Sequence, residues 1–280
     1  MSLDRLAPAL FVLLWSTGWV AAKFGSIVSE PLTFLAIRYA TAAVLFAVFC
    51  LVVRATWPKD RATVAHAVIS GAFLHGFYLA AVWWAIGQGV PAAKAVIIGE
   101  RLTKTQKLGL VLGFSGVAIA ILPKFLEVGN GEIAALALLV NVIGMASVTY
   151  GTIYQKQHLH TGDIRSIATL QYVGALIVTL PLALVLETPS VELGWGFFAL
   201  LAWSVLGISM GAILLLLYLL RRGQVSRAAS LVYLVPPIAA LQAALIFGEE
   251  LTLPMIAGTA VVVAGVYLCN RKETPPAPAE

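Results

Sequence analysis

The chain has 280 residues, of which 60% are hydrophobic and 11% are charged, and its formal net charge is +5. A soluble domain would carry roughly a quarter charged residues, so this composition, with a mean hydropathy of +0.94, excludes an ordinary soluble protein. Apolar runs of about twenty residues recur along nearly the whole length, which is typical of transmembrane helices. The positive charge therefore does not indicate nucleic-acid binding and has to be assigned loop by loop.

The apolar runs predict an all-α, polytopic membrane helix bundle. The first run is too long for a signal peptide and many further spans follow it, so we expect it to be retained as a helix. In the first half, helices are predicted at Leu6–Ile27, Leu32–Val53, Thr63–Ile86, Ala92–Ile98 and Thr105–Leu122. In the second half they are predicted at Glu132–Tyr154, Ile164–Leu186, Trp195–Leu220, Ala228–Phe247 and Leu253–Cys269. The proline-rich tail, 271–280, is predicted to be disordered.

A duplicated stretch relates the two halves of the chain. The residues that recur after 149 positions (248 − 99) are Gly99, Glu100, Leu102, Thr103, Gly109, Gly116 and Val117. Identities that include Glu and Thr are not expected by chance at one offset. We therefore predict two five-helix repeats, 1–124 and 125–270. Because five is an odd number of spans, the two repeats would insert with opposite orientations, as in many transporters whose substrate site lies between the halves.

The predicted fourth helix is unusually short. Gly76 and Gly211 are 211 − 76 = 135 residues apart, as are Val90 and Val225, so the first repeat lacks 149 − 135 = 14 residues before its Gly-Glu motif. The segment Ala92–Glu100 would span only about 14 Å, half of a hydrocarbon core of roughly 30 Å. A deletion, a half-helix or re-entrant segment, and a printed sequence that lacks natural residues all stay open.

Charge distribution favours ten crossings despite this short segment. With the N-terminus inside and ten crossings, 14 of the 18 Lys and Arg residues fall in inside loops, as the positive-inside rule requires. If the short segment merged with the fifth helix, nine crossings would remain and the charges of the second half would lie outside. The length of the fourth helix and the charge pattern thus point in different directions.

Several motifs resemble the EamA family of the drug/metabolite transporter superfamily. They are Trp15-Ser16-Thr17-Gly18, Glu30-Pro31 followed by Arg38-Tyr39, and the paired Gly-Glu-x-Leu-Thr motifs. The resemblance implies ten helices, both termini inside, and export of small metabolites, often amino acids. The chain departs from the family in the fourth helix, where a full span with a central proline is expected; the second repeat keeps that feature at Pro236-Pro237.

Enzyme activity is not expected from the motifs. The chain has neither a phosphate-binding Gly-x-x-x-x-Gly-Lys loop nor a Gly-x-Ser-x-Gly elbow. No cofactor and no metal site is predicted, because the histidines lack zinc-site spacing, and Cys50 and Cys269 read as buried small apolar residues. The expected partners are a small-molecule substrate and the lipid bilayer, with transport either facilitated or coupled to protons.

His75 is the first candidate for substrate contact. It shares a helix face with Tyr78 and Leu79, and a titratable side chain in a membrane span usually faces the bundle interior. Two interpretations stay open: a histidine hydrogen-bonded between helices, or a cavity residue that binds substrate or exchanges a proton. The full set of candidate substrate-binding residues is Trp15, Ser16, Trp19, His75, Tyr78, Leu79, Trp83, Asn141, Tyr150, Ser209, Ser230, Tyr233 and Pro237.

Other charged residues are interpreted as structural. Arg38 is expected to snorkel outward or to pair with Glu30 rather than to touch substrate. Glu100 and Glu249, at the ends of their helices, are expected to form caps or pairs at the membrane boundary.

The function predicted from these patterns is an inner-membrane carrier that exports amino-acid-like or amphipathic metabolites by alternating access. One alternative is uptake of cationic or quaternary amines through cation–π contacts with Trp15, Trp19, Tyr78 and Tyr233. A second alternative is a membrane protein that does not transport, which the short fourth helix favours.

Overall fold

Apolar helices make up nearly all of the structure, a computed structural model that describes residues 3–87, 112, 115, 116, 119, 132–159, 161–215, 218, 234–248 and 251–270. Within these residues the only β-type pairing is an isolated bridge between Ser29 and Val191. In the part of the chain that the structure describes, five helices are long and apolar enough to cross a membrane, and two further apolar helices are shorter. The predicted all-α bundle is confirmed.

The helix bounds agree closely with the apolar runs. The helices are α1 (Leu3–Val28), α2 (Pro31–Val52), α3 (Arg61–Gly71), α4 (Tyr78–Gly87), α5 (Glu132–His158), α6 (Ile164–Leu186), α7 (Trp195–Ala202), α8 (Val235–Phe247) and α9 (Leu253–Asn270). Two π-helical segments interrupt the regular pattern. The first, π1 (Ala72–Phe77), joins α3 to α4, and the second, π2 (Trp203–Ala212), continues α7. Neither was predicted.

Large apolar side chains cover the outside of the bundle. Val185, Trp195 and Leu245 are 80%, 86% and 85% exposed. In water such a surface would favour aggregation, whereas lipid solvates it at no cost. The exterior therefore fits a protein embedded in a bilayer.

The helices α2 and α6 run antiparallel and form the most extensive helix pair among the described residues. At one end of the bundle, the carboxylate of Glu187, which follows α6, accepts hydrogen bonds from the backbone amides of Leu32 and Thr33 at 2.8 Å. It thereby caps the first turn of α2, where unpaired amides favour an anion. Beside it, Ser29 pairs with Val191. We call this region the Ser29 end.

At the opposite end, the loop after α2 meets the start of α6. The Ser166 hydroxyl donates to the Thr56 carbonyl oxygen at 2.8 Å, and the Thr56 amide donates to Asp163 at 3.3 Å. We call this region the Thr56 end. Helix α3 begins there and α5 terminates there, since His66 contacts Tyr154 at 2.7 Å.

The helices before and after the segment 88–131 meet the same end of the bundle. The α3–π1–α4 helix leaves the Thr56 end and reaches the Ser29 end, where Ala80 packs with Leu32 and Ala183. Helix α5 runs antiparallel to it, with Gly144 beside Tyr78 and Ala81, so α5 begins at the Ser29 end. Nearly all of the segment between them lies outside the described residues, and the choice between nine and ten crossings stays a prediction.

Glycines let the helices approach closely at two contacts. A Cβ atom at Gly174 would overlap the Val68 carbonyl oxygen, and one at Gly71 would overlap the backbone of Gln171, so α3 and α6 cross backbone to backbone. Gly116 in turn lies against the backbone of Gly258 and Val262 on α9. Close packing through small residues is the usual way for helices to associate in membranes.

Part of the duplicated motif lies outside the described residues. Gly99, Glu100 and Glu249 are among these, and so is the short fourth helix. Gly248 is described, and it ends α8 in the left-handed conformation (φ 67°) that favours glycine as a helix cap. The inverted relation of the two repeats stays a prediction at this point.

Candidate functional site

Aromatic rings meet where α2 and α6 cross. The ring centroids of Tyr39 on α2 and Tyr172 on α6 are 6.0 Å apart. Tyr172 also stacks on Phe46 at 5.6 Å and on the His75 ring at 5.2 Å, with an interplanar angle of 15° to His75. Tyr39 and Phe46 are fully buried and Tyr172 is 3% exposed. The crossing thus forms an aromatic centre inside the bundle.

Each of the two tyrosines is hydrogen-bonded to a π-helical segment. The Tyr39 hydroxyl donates to the His75 carbonyl oxygen in π1 at 3.0 Å. The Tyr172 hydroxyl donates to the Ser209 carbonyl oxygen in π2 at 3.4 Å. A π-helical turn disturbs the regular ladder of backbone hydrogen bonds and is frequent at functional sites. The two phenols therefore hold the two irregular segments against the crossing.

The two π-helical segments lie at positions that one of the sequence offsets relates. Adding the offset of 135 to π1, 72–77, gives 207–212, which lies within π2. The tyrosines follow a similar offset, 172 − 39 = 133, which also relates Thr33 to Ser166. At the Ser29 end the Thr33 hydroxyl binds Glu187, which follows α6. At the Thr56 end the Ser166 hydroxyl binds Thr56 in the loop after α2.

Arg38 places a positive charge beside this aromatic centre. It is 5% exposed, and its Nε and Nη2 atoms donate to the Ser209 hydroxyl oxygen at 3.3 and 3.1 Å. Its charge also acts on Tyr39, Tyr172 and His75. The expectation that Arg38 snorkels outward or pairs with Glu30 is wrong, because Glu30 is exposed at the end of α2 while the guanidinium turns inward to π2.

Some of the predicted site residues do meet at the crossing. Ser209 and His75 touch it directly. Tyr78 and Trp83 are buried in the central apolar cluster, and Leu79 packs against that cluster. The Trp83 ring stacks on Phe34 at 5.5 Å, so it supports the core rather than facing the arginine. For His75, ring stacking on Tyr172 replaces the hydrogen bond between helices that one interpretation expected.

The candidate residues on α1 lie to one side of the crossing. The Trp15 ring contacts Phe11 at 5.1 Å, and both belong to a second apolar cluster shared with π2 and α8. Ser16 is fully buried but donates to the Leu13 carbonyl oxygen of its own helix at 2.9 Å. Trp19 packs against both clusters. Of these three, Trp19 is therefore the residue that connects α1 with the crossing.

The remaining candidate residues either lie away from the crossing or have no described side chain. Tyr150 is 51% exposed and contacts Phe73 and Tyr154 on the α5 side of π1, away from the crossing. The side chains of Asn141 and Pro237 lie outside the description, as do Ser230 and Tyr233. The Pro236-Pro237 pair occupies the first turn of α8, where a missing amide hydrogen is tolerated.

Sequence reasoning missed Tyr39 and Tyr172 as site residues. Aligning Arg38-Tyr39 with Gln171-Tyr172 at the offset of 133 would have shown a repeated tyrosine in two equivalent helices. Within the described residues no group of three or more His, Cys, Asp or Glu side chains is arranged to bind a metal. The chemistry of the crossing is that of a buried cation, two phenols, an imidazole and a hydroxyl.

Comparison with known proteins agrees with this architecture. Residues 135–271 match the EamA-like transporter family. A solved crystal structure superposes with a TM-score of 0.70, covering 95% of both chains at 14% sequence identity, which shows the shared fold.

Three curated relatives align over nearly the full length. The chain is 26% identical to "Uncharacterized transporter YvbV" of Bacillus subtilis, over 95% of this chain and 91% of the relative. It is 26% and 25% identical to two proteins named "Probable amino-acid metabolite efflux pump", from Salmonella typhimurium and Escherichia coli, over 95% of this chain and 94% of each relative. The full-length alignments, the shared fold and the membrane-spanning helices are those of a multi-pass membrane transporter, and residues 135–271 make the chain similar to the EamA-like transporter family.

Proposed function

We propose that the protein exports small amino-acid-like or amphipathic metabolites across the inner (plasma) membrane by alternating access. The observation that carries the proposal is the antiparallel crossing of α2 and α6, with a tyrosine of each helix bound to its own π-helical segment. Two relatives named as efflux pumps for amino-acid metabolites support the substrate class.

The crossing has the geometry that an inverted repeat requires. Helices with equivalent places in two oppositely inserted repeats run in opposite directions. The helices α2 and α6 do so, and the offsets of 133 and 135 relate their tyrosines and the two π-helical segments. Rocking of one repeat against the other about this crossing would expose the aromatic centre to one side at a time.

The proposed orientation follows from the charges at the two ends. The Thr56 end carries Arg54, Lys59, Arg61, Lys156 and Arg165. The described loops of the Ser29 end carry Glu30, Glu187 and Glu192 and no Lys or Arg. The positive-inside rule places the Thr56 end in the cytoplasm. Helix α1, which ends at the Ser29 end, then begins on the cytoplasmic side, as proposed for both termini.

Flux measurements test the proposal directly. The purified full-length protein, reconstituted in liposomes and loaded with a labelled mixture of amino acids, is expected to release at least one of them faster than protein-free liposomes do. Absence of release for every amino acid would contradict the proposed substrate class and would favour the alternative of a protein that does not transport. Uptake of cationic amines is disfavoured, because Arg38 would repel a cation at the crossing.

Coupling to protons is the finer part of the proposal, and His75 is the residue that we assign to it. The imidazole stacks on Tyr172 beside Arg38 and is the titratable base at the crossing. If it exchanges a proton during transport, His75→Gln flux is expected to lose the pH dependence of the wild-type flux. His158→Gln, in the exposed last turn of α5, is the matched control. An unchanged pH profile in His75→Gln would leave facilitated transport as the mode.

A further inference from the structure

The guanidinium of Arg38 is a buried cation whose recorded hydrogen-bond partner is neutral. It lies about 11 Å along α2 from Pro31, at 1.5 Å per residue, and is 5% exposed. Its hydrogen bonds go to the Ser209 hydroxyl. Among the described residues no acidic side chain forms an ion pair with it, whereas Arg165 pairs with Asp163.

A buried charge with no opposite charge beside it destabilises the protein, so such a residue usually has a function. Arginine stays protonated in proteins, so it cannot lower the cost by losing its proton. Removing a charge from water without an opposite charge nearby costs several kcal/mol. Charged residues inside membrane spans are therefore rare and tend to mark substrate or ion pathways. An anionic ligand would supply the counter-charge that the described residues do not provide at the crossing.

The contact with Ser209 leaves the guanidinium able to bind a ligand. Nε and Nη2 both donate to the same Ser209 oxygen, which uses one edge of the planar group and leaves no recorded partner among the described residues on Nη1. The hydroxyl accepts these bonds with its lone pairs, so its own hydrogen remains available to a second acceptor. One carboxylate could therefore accept from Arg38 and from Ser209 together, in a charge-assisted arrangement.

The neighbouring rings define the rest of the ligand. Tyr39, Tyr172 and His75 offer flat, largely apolar surfaces within the electrostatic reach of Arg38. These surfaces suit an apolar or aromatic group attached to the anion. Arg38 is a single cation, which matches the single negative charge of a carboxylate. It would balance the charge of a phosphate only in part.

We propose that Arg38, oriented by Ser209, binds the carboxylate group of the transported metabolite. This assignment rests on the proposed function, since it names the substrate class of the same site. The carboxylate would neutralise the buried guanidinium, and a substrate without a carboxylate would leave it unpaired. Discrimination of acids from their amides is the direct consequence.

A binding experiment tests this assignment without requiring transport. The unfolding temperature of the full-length protein in detergent is measured with each of the twenty amino acids and with the corresponding amino-acid amides, which lack the carboxylate. At least one free amino acid is expected to stabilise the wild type while its amide does not. In Arg38→Gln the apparent affinity for that amino acid is expected to fall about ten- to hundred-fold.

Three further variants separate binding from folding. Arg38→Lys keeps the charge but loses the planar fork, so part of the affinity and the preference for the acid should remain. Ser209→Ala should weaken binding several-fold with the preference retained. Arg54→Gln, which removes an exposed arginine at the Thr56 end, should bind as the wild type does. If Arg38→Gln does not fold, Arg38→Lys and Ser209→Ala decide the question.

The outcomes distinguish this assignment from the proposed function. Equal stabilisation by acid and amide, no stabilisation by any free acid, or an intact acid preference in Arg38→Gln would each overturn the role of Arg38. Flux from liposomes is read in parallel. Acid-selective binding without flux would overturn export and leave the carboxylate site standing, whereas flux with no preference for the carboxylate would do the reverse.

Discussion

Asp163 shows how a single side chain fastens one end of the bundle. Its carboxylate accepts a bond from the Arg165 side chain at 2.8 Å and caps the first turn of α6, and it also accepts from the Thr56 amide. The hydrogen bonds from Arg165 are the main reason why the pKa of Asp163 falls to about 2. The ionised form is therefore the one that stabilises the folded protein.

The lowered pKa predicts how stability depends on pH. Because the pKa is lower in the folded than in the unfolded chain, the stabilisation is present above the ordinary carboxyl pKa of about 4 and is lost as the pH falls towards 2. Asp163→Asn should therefore lower the unfolding temperature equally at pH 7 and pH 5. The difference from the wild type should shrink only below about pH 4. Unfolding curves from pH 3 to 8 measure this; a difference that changes between pH 5 and 7 would contradict the assignment.

At the residue scale the sequence predicted side chains whose polarity is unusual in an apolar helix. His75 and Ser209 were found for that reason. Tyr172 was not, because a tyrosine in a membrane helix has many ordinary roles. Arg38 was assigned to the membrane surface from its distance to the helix end, whereas its direction is decided by a contact with π2, 171 residues away. No local pattern reports such a contact.

At the scale of elements, the bound tyrosines predict matched effects on stability. Each phenol satisfies a carbonyl oxygen of a π-helical segment, and loss of such a bond costs about 0.5–1.5 kcal/mol. Tyr39→Phe and Tyr172→Phe should therefore each lower the unfolding free energy by about this amount. Tyr267→Phe, at a residue that is 68% exposed, should change it little. Denaturation in mixed micelles measures all three, and wild-type stability in both core variants would show that the hydroxyls do not hold the segments.

A second prediction concerns the backbone contact of α3 and α6. In Gly174→Ala the new methyl group would overlap the Val68 carbonyl oxygen, and backbone on both sides leaves no flexible group to move. We expect the helices to separate and the protein to lose several kcal/mol of stability or fail to accumulate. Gly18→Ala is the matched control, since it lies in α1 with no atom within 4 Å of the added carbon and alanine favours a helix. Equal yields and unfolding temperatures for the two variants would contradict the close contact.

Element bounds were predictable because each apolar run has a clear chemical end. The second helix begins at Pro31, which suits a first turn, and α6 begins after the capping residue Asp163. The π-helical segments were not predictable. The sequence Ala72–Phe77, for example, contains no proline that would mark an interruption of the helix. The hydroxyls of Tyr39 and Tyr172 that bind carbonyl oxygens of these segments come from distant parts of the chain.

At the scale of the whole molecule, the charge pattern and the duplication predicted ten crossings, whereas the length of one segment did not. The short fourth helix left nine crossings open. In the structure the loops around Thr56 and Asp163 meet at one end, while Ser29 and Val191 meet at the other, and the number of crossings stays a prediction. Helix length is a local property, but the side of the membrane reached by each loop is a global one, and lysine and arginine residues report it directly.

Alternating access makes a prediction for these two ends. Each end is closed by a contact between the halves of the chain, Ser29 with Val191 at one and Thr56 with Ser166 at the other. A transporter that must open both ends in turn should stop when either is held shut. The variants Ser29→Cys/Val191→Cys and Thr56→Cys/Ser166→Cys, with Cys50 and Cys269 replaced by alanine, provide one cross-link at each end. Ser29 and Val191 form an antiparallel bridge, and such pairs have the Cα separation that a disulfide needs.

We expect amino-acid release from liposomes to fall to background when either pair is oxidised and to return on reduction. The single-cysteine variants, oxidised in the same way, should release at the rate of their reduced forms, which controls for oxidation itself. Loss of flux from a cross-link at only one end would indicate that the other end stays closed throughout the cycle. In that case the substrate would have to leave the crossing sideways, between α2 and its neighbours, and rocking of the two halves would not be the mechanism.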